Sequence, residues 1–148
     1  MINPHKQVFP QANNVDFMLK IISNYFESGM TKFDISNNYQ IALREGSYYL
    51  DALLFLGLVE KIKIKYFLTK EGVILQNLKT GNERVKYMKT IILANNFIGK
   101  IHCDKNKLNY LANEYIVEII MNNTNLNITT SKRRASTIVS WLKWVDNN

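Results

Sequence analysis

Cysteine is almost missing from this chain of 148 residues, where Cys103 stands alone. No disulfide can form within the chain, which excludes a cross-linked scaffold and makes a reducing cytoplasm the expected location. Proline is nearly as scarce. Pro4 and Pro10 both fall within residues 1–13, which show no periodicity and read as an extended N-terminal arm. Long apolar runs are also lacking. The longest, Ala52 to Val59, is interrupted by Gly57 and is far too short to cross a bilayer. The opening MINPHKQVFPQ has no apolar core of signal-peptide length, so neither a leader nor a membrane partner is expected.

Catalytic spellings are missing too. A metal-dependent endonuclease of the common type needs an acid followed by an acid–x–Lys triplet, to hold Mg²⁺ and activate water. The chain contains no Asp-x-Lys or Glu-x-Lys, and Glu60 stands three residues before Lys63, which fails the spacing. His5 and His102 are isolated from each other, and one histidine beside Cys103 is too little for a closed zinc site. There is no phosphate-binding loop, dinucleotide fingerprint or Ser-His-Asp set. The expectation is a protein without cofactor or metal that leans away from catalysis, unless it is the recognition part of a longer enzyme.

What is present is a 47% hydrophobic content, a formal net charge of +7 and an isoelectric point near 9.5. These fit a globular domain with an acidic partner, nucleic acid first.

Caps and breakers divide the chain. Asn14 caps VDFMLKIISNYFES, and Gly29 stops it. Thr31 caps a short helix through Asn38, and a second runs from Arg44 to Leu56 with Gly57 at its end. Leu58 to Ile62 and Tyr66 to Thr69 read as a hairpin, and Thr69 caps a last helix that Gly81 closes. "LLFLGLVE" and "YFLTKEG" resemble the turning points of winged-helix DNA-binding domains. A second unit starts with Asn82 capping ERVKYMKTIILANN. It continues through a loop, FIGKIHCDKN, a helix from Leu108 to Met121, a polar connection and a final helix. The reading is mainly α with a small β-hairpin wing, a tandem of winged-helix or helix-turn-helix units. Its parts are the arm 1–13, a winged-helix unit 14–81 and a helix-turn-helix unit 82–148.

The final helix, TTSKRRASTIVSWLKWV, carries the sharpest pattern. Thr130 or Ser131 is its expected cap. Ala135, Ile138, Val139, Leu142 and Val145 share an apolar face that Trp141 borders. Lys132, Arg133, Ser136, Thr137, Ser140, Lys143 and Trp144 fall on the other side, with Arg134 near the apolar edge. Cations in a first turn oppose the helix dipole by about 0.3–1 kcal/mol each when exposed. They become favourable beside a phosphate, and Arg can bond a guanine edge from such a helix. The run from Ser131 to Val145 also resembles the end of a winged-helix domain found in type II restriction endonucleases and in small proteins encoded beside them. That resemblance implies a DNA-recognition module of a restriction–modification or phage-defence system, and it supplies no catalytic site.

The first unit offers Arg44, Ser47 and Tyr48 on its second helix as DNA contacts, with packing against the other unit as an equal reading. In KIKIKYF, period-2 alternation puts Lys61, Lys63 and Lys65 on one face, for phosphates or for edge protection. The combined expectation is sequence-specific binding of double-stranded DNA through Thr130, Ser131, Lys132, Arg133, Arg134, Ser136, Thr137 and Ser140, supported by the first unit. The competing expectation is an interaction module that forms a homodimer or docks on a nuclease.

Overall fold

The computed structural model describes residues 10–24, 26–108 and 113–148, with side chains left undescribed at 105–108 and 113. Residues 1–9 of the expected arm, Leu111, and the side chain of Leu108 therefore lie outside the described set. The described residues form eight helices and one two-stranded antiparallel hairpin, so the protein is mainly helical.

The first helix, α1 (Val15–Ile22), starts where Asn14 Oδ1 accepts from the Phe17 amide at 3.0 Å. It ends well short of the expected Ser28. Competing bonds explain the early stop. Gln76 Nε2 donates to the carbonyls of Ile22 and Asn24, at 2.9 and 2.8 Å, taking acceptors that a longer helix would need. Phe26 still enters the core from the turn that follows.

Helix α2 (Lys32–Tyr39) opens with a capping box: Asp34 N donates to Thr31 Oγ1 at 3.2 Å, and Thr31 N to Asp34 Oδ2 at 2.8 Å. Three residues connect it to α3 (Leu43–Phe55). The two helices cross closely at Gly46, where an added Cβ would stand 2.9 Å from the Lys32 carbonyl oxygen. Gly57, with φ +75°, then turns the chain into strand β1 (Val59–Ile62), which pairs with β2 (Lys65–Leu68). A single bridge from Met30 to Tyr66 lengthens the pairing on the other side of β2. Tyr66 is buried, and its hydroxyl donates to Asp51 Oδ1 at 2.7 Å.

Burial, then the bond to Asp51, raises the Tyr66 pKa above its ordinary 10.0. The folded state thus holds this phenol protonated where the unfolded chain would release it. The stability this contributes is complete below about pH 10 and is lost as pH climbs further. Urea midpoints measured from pH 9 to 11 should fall, and a Tyr66→Phe variant should show a smaller fall over that window.

Helix α4 (Lys70–Asn77) is capped as expected, Thr69 Oγ1 accepting from Gly72 N at 3.2 Å. Gly81 does not close it; α4 ends at Asn77, and Gly81 opens α5 (Gly81–Ala94). The cap of α5 is Thr80 rather than Asn82, because the Thr80 hydroxyl accepts from Glu83 N at 3.1 Å. Arg84 fastens this junction, donating to the carbonyls of Leu78 at 2.9 Å and Gln76 at 3.2 Å and to Ser23 Oγ at 3.3 Å.

The expected loop FIGKIHCDKN is helical and belongs to α6 (Asn96–Leu108). Asn95 breaks the chain between α5 and α6 and starts the new helix, its Oδ1 accepting from the amides of Phe97 and Ile98 at 3.1 and 3.2 Å. Ile98 and Ile101 are fully buried, which holds a polar-looking segment in helical form. Next come α7 (Asn113–Asn123) and α8 (Ile128–Asn147), and α8 packs on α7 and α6. The buried apolar side chains form one cluster that runs from Ala12 to Val145.

Candidate nucleic-acid interface

Helix α8 begins earlier than its sequence suggests. Asn127, not Thr130 or Ser131, is the cap, its Oδ1 accepting from Thr130 N at 2.9 Å. Lys132 to Arg134 therefore sit in the second turn, beyond most of the dipole's reach. The apparent mismatch between three cations and a helix N-terminus largely disappears.

Two faces of α8 are occupied. Ser131, Ala135, Ile138, Leu142 and Val145 are buried on one of them. The adjoining face meets the start of the chain: Thr137 Oγ1 donates to Asn13 Oδ1 at 2.6 Å, Trp141 Nε1 to the Ala12 carbonyl at 2.7 Å, and Trp144 Nε1 to Asp16 Oδ1 at 3.0 Å. Trp141 is fully buried and stands 6.2 Å from the Phe55 ring of α3, centroid to centroid. The expected DNA contact at Ser131 and the expected outward orientation of Thr137 and Trp144 are thus corrected. Ser131 is 0% exposed and Thr137 2%, the first inside the helical core and the second bonded to residue 13. Trp144 is half-buried against α1 instead of standing on the outer face.

Between Thr129 and Val145, the polar side chains of α8 that remain outward form one stripe. Thr129, Lys132, Arg133, Ser136 and Lys143 are exposed and Ser140 is half-buried. At 100° per residue these six fall within a band about 100° wide. The band contains no acid, since Asp146 lies off it and meets His102 Nε2 at 3.3 Å. Thr130, half-buried, accepts a bond from Arg133 Nη2 at 3.4 Å. Sequence spacing misses Thr129 because it starts the helix too late.

Arg134 points elsewhere. It is half-buried, and removal from water lowers its pKa, with Tyr48 and Asp51 of α3 acting in the opposite sense. Its surroundings make it a joint between α8 and α3. Arg134→Ala should cost about 1 kcal/mol of stability through poorer packing, seen in urea unfolding, while any salt dependence of DNA binding stays as in the parent.

Helix α3 is divided the same way. Tyr48, Asp51 and Phe55 lie toward α8, and Ala52 is fully buried, so packing between α3 and α8 accounts for this side of α3. Arg44 is exposed, and half-buried Ser47 lines a small cleft with Lys61 and Ile64. The lysine alternation of KIKIKYF needs correction. The register pairs Lys61 with Tyr66 and Ile62 with Lys65, so a two-residue turn at Lys63-Ile64 puts Lys61 and Lys65 on opposite faces. Lys61 Nζ sits 5.2 Å from the Tyr66 ring centroid, while Lys65 Nζ donates to the Ser28 carbonyl at 3.3 Å on the other side.

Beside the basic stripe runs a groove of about 690 Å³ between α7 and α8. Val117, Met121 and Ile128 supply its apolar lining, with Glu114 and Glu118 on the α7 side and Lys132 on the α8 side. Among the described residues no three His, Cys, Asp or Glu side chains converge on a metal position. No described helix is long and apolar enough to cross a membrane.

The site is therefore a solvent-facing cationic helix stripe held by two buried helix faces. The chain belongs to the DUF7226 family, described as a domain of unknown function, which matches residues 18–148. No curated protein and no solved structure matches it.

Proposed function

We propose that this chain binds double-stranded DNA as a tandem of a winged-helix and a helix-turn-helix unit, with the outward stripe of α8 as its main contact. The carrying observation is that stripe: Lys132, Arg133 and Lys143 with Thr129, Ser136 and Ser140, all on one side and free of acids. Phosphates take lysine and hydroxyl donors, and an arginine can pair bidentately with a guanine edge. The element order supports the reading. In the first unit, α2, a three-residue turn and α3 lead into a hairpin. In the second, α7, a four-residue turn and α8 place the stripe on the second helix of the pair. The resemblance of Ser131 to Val145 adds the setting, a recognition or accessory protein of a restriction–modification system acting in the cytoplasm without catalysis of its own.

Titration of a fluorescent duplex at several salt concentrations tests this. Affinity should fall steeply and linearly on a log–log plot as phosphate counterions compete. A flat salt response would remove the proposal. A second reading, docking of a protein partner, is favoured by the groove between α7 and α8, where Met121 and Ile128 are 40% and 53% exposed.

A further inference from the structure

The groove between α7 and α8 runs against the charge of the chain as a whole. Glu114 and Glu118 stand one helical turn apart on its α7 wall, both exposed, and face Lys132 alone on the α8 wall. Two carboxylates against one ammonium leave the groove net negative, in a chain of formal charge +7. Among the described residues neither carboxylate has an ion-pair partner, the pair found there being His102 with Asp146. Between the walls, Met121 is 40% and Ile128 53% exposed. About 690 Å³ of space with this lining calls for an apolar side chain accompanied by cations. The chain itself carries such a group. Every residue from Lys61 to Lys65 is exposed, and the two-residue turn at Lys63-Ile64 makes this run the convex tip of the hairpin. Within one copy Ile64 lines a cleft with Lys32 of α2 and Ser47 of α3, which includes no residue of α7 or α8.

We propose that the hairpin tip of one copy seats in the α7–α8 groove of the next, so that the chain assembles head to tail. Ile64 meets Met121 and Ile128, and Lys63 meets the carboxylates of Glu114 and Glu118. The inference rests on the docking reading of this groove, to which it gives a partner, and not on DNA binding. Shape and charge favour the tip over a second groove. Two concave grooves set face to face would leave a void and bring four carboxylates together, whereas a convex basic tip fills the space and offsets the charge. The contact joins unlike surfaces, so every added copy brings a free tip and a free groove, and growth ends only in a closed ring. A tip in a groove buries less than the roughly 1,600 Å² of a standard interface, so assembly depends on concentration.

Sedimentation velocity of the full chain without DNA, from about 1 μM to about 1 mM, tests the contact. The average mass should rise with concentration above the 17.3 kDa of one copy. Ile64→Asp spoils the tip, and Glu118→Lys spoils the groove. Both positions are exposed, so each variant should keep the parent's circular dichroism and thermal midpoint. Each by itself should remain a single copy throughout. Mixed in equal amounts they should form dimers and nothing larger, because one variant brings an intact groove and the other an intact tip. A parent that stays a single copy at every concentration overturns the contact and leaves the groove to a different protein. Assembly by either variant alone, or a mixture that stays as single copies, overturns it as well. Assembly that survives Ile64→Asp but not Glu118→Lys would assign the groove to pairing with a second groove.

Discussion

Alanine at Lys132, Arg133 and Lys143 together should weaken duplex binding on the order of 100-fold and flatten its salt dependence by about two to three units of slope. The size follows from the groups available. Each phosphate left without its cation takes about 0.9 from the slope, and a bidentate arginine–guanine pair is worth about 1–3 kcal/mol. All three side chains are exposed, so removing them should leave folding intact, and thermal melting by circular dichroism provides the control. The single variants separate the roles. Lys132→Ala and Lys143→Ala should weaken all duplexes alike, whereas Arg133→Ala should also relax the preference for one base pair. Equal affinity and slope in parent and triple variant would shift weight to the groove between α7 and α8. Its carboxylates Glu114 and Glu118 repel phosphate, so a protein would be the better fit there.

Arg134 illustrates why such a stripe is only partly legible from sequence. Helical spacing alone separates Lys132, Arg133, Ser136, Ser140 and Lys143 from the apolar residues of α8, and these five do fall together. The same spacing cannot reveal that a second face is covered. Thr137 and Trp144 look outward until Asn13 and Asp16 are brought beside them, across 124 and 128 residues of chain. Much of the run from Ser131 to Val145 is thereby explained as packing. Ser131, Ala135, Thr137, Ile138, Trp141, Leu142 and Val145 are all buried.

Local chemistry is the readable part of the fold. Asn14, Thr31 and Thr69 cap the helices expected of them, because a side-chain oxygen meeting amides two or three residues on is a short-range event. The hairpin is likewise visible from its apolar spelling and following cap. Sequence spacing misleads where distant groups decide the outcome. Gln76 ends α1 from 52 and 54 residues away. Buried Ile98 and Ile101 keep α6 helical through a stretch whose Gly99, His102 and Asp104 suggest a loop. The lysines of the hairpin mislead for a geometric reason, since alternation continues through the turn only on paper.

Trp141→Ala should be the most destabilising single change, costing about 3–5 kcal/mol for the ring, with roughly 1 kcal/mol more for the Ala12 carbonyl deprived of its donor. That is a large part of the 5–15 kcal/mol typical of a whole domain. Trp141→Phe keeps an aromatic ring against Phe55 but lacks the indole N–H, so its cost should be smaller, about 1–2 kcal/mol. The order expected in urea unfolding is parent, then Trp141→Phe, then Trp141→Ala. The location of the ring gives the experiment a second outcome. Trp141 ties α8 to residue 12 and to α3, and the buried cluster continues from there into both halves of the chain. Loosening it should weaken both halves together. In Trp141→Phe, Trp144 is the one tryptophan left, so its fluorescence reports the joint while circular dichroism reports the helices. The two signals should change at the same urea concentration. A fluorescence change well ahead of the loss of helix would mean that α8 detaches first, and that the two halves are stable without the ring that joins them.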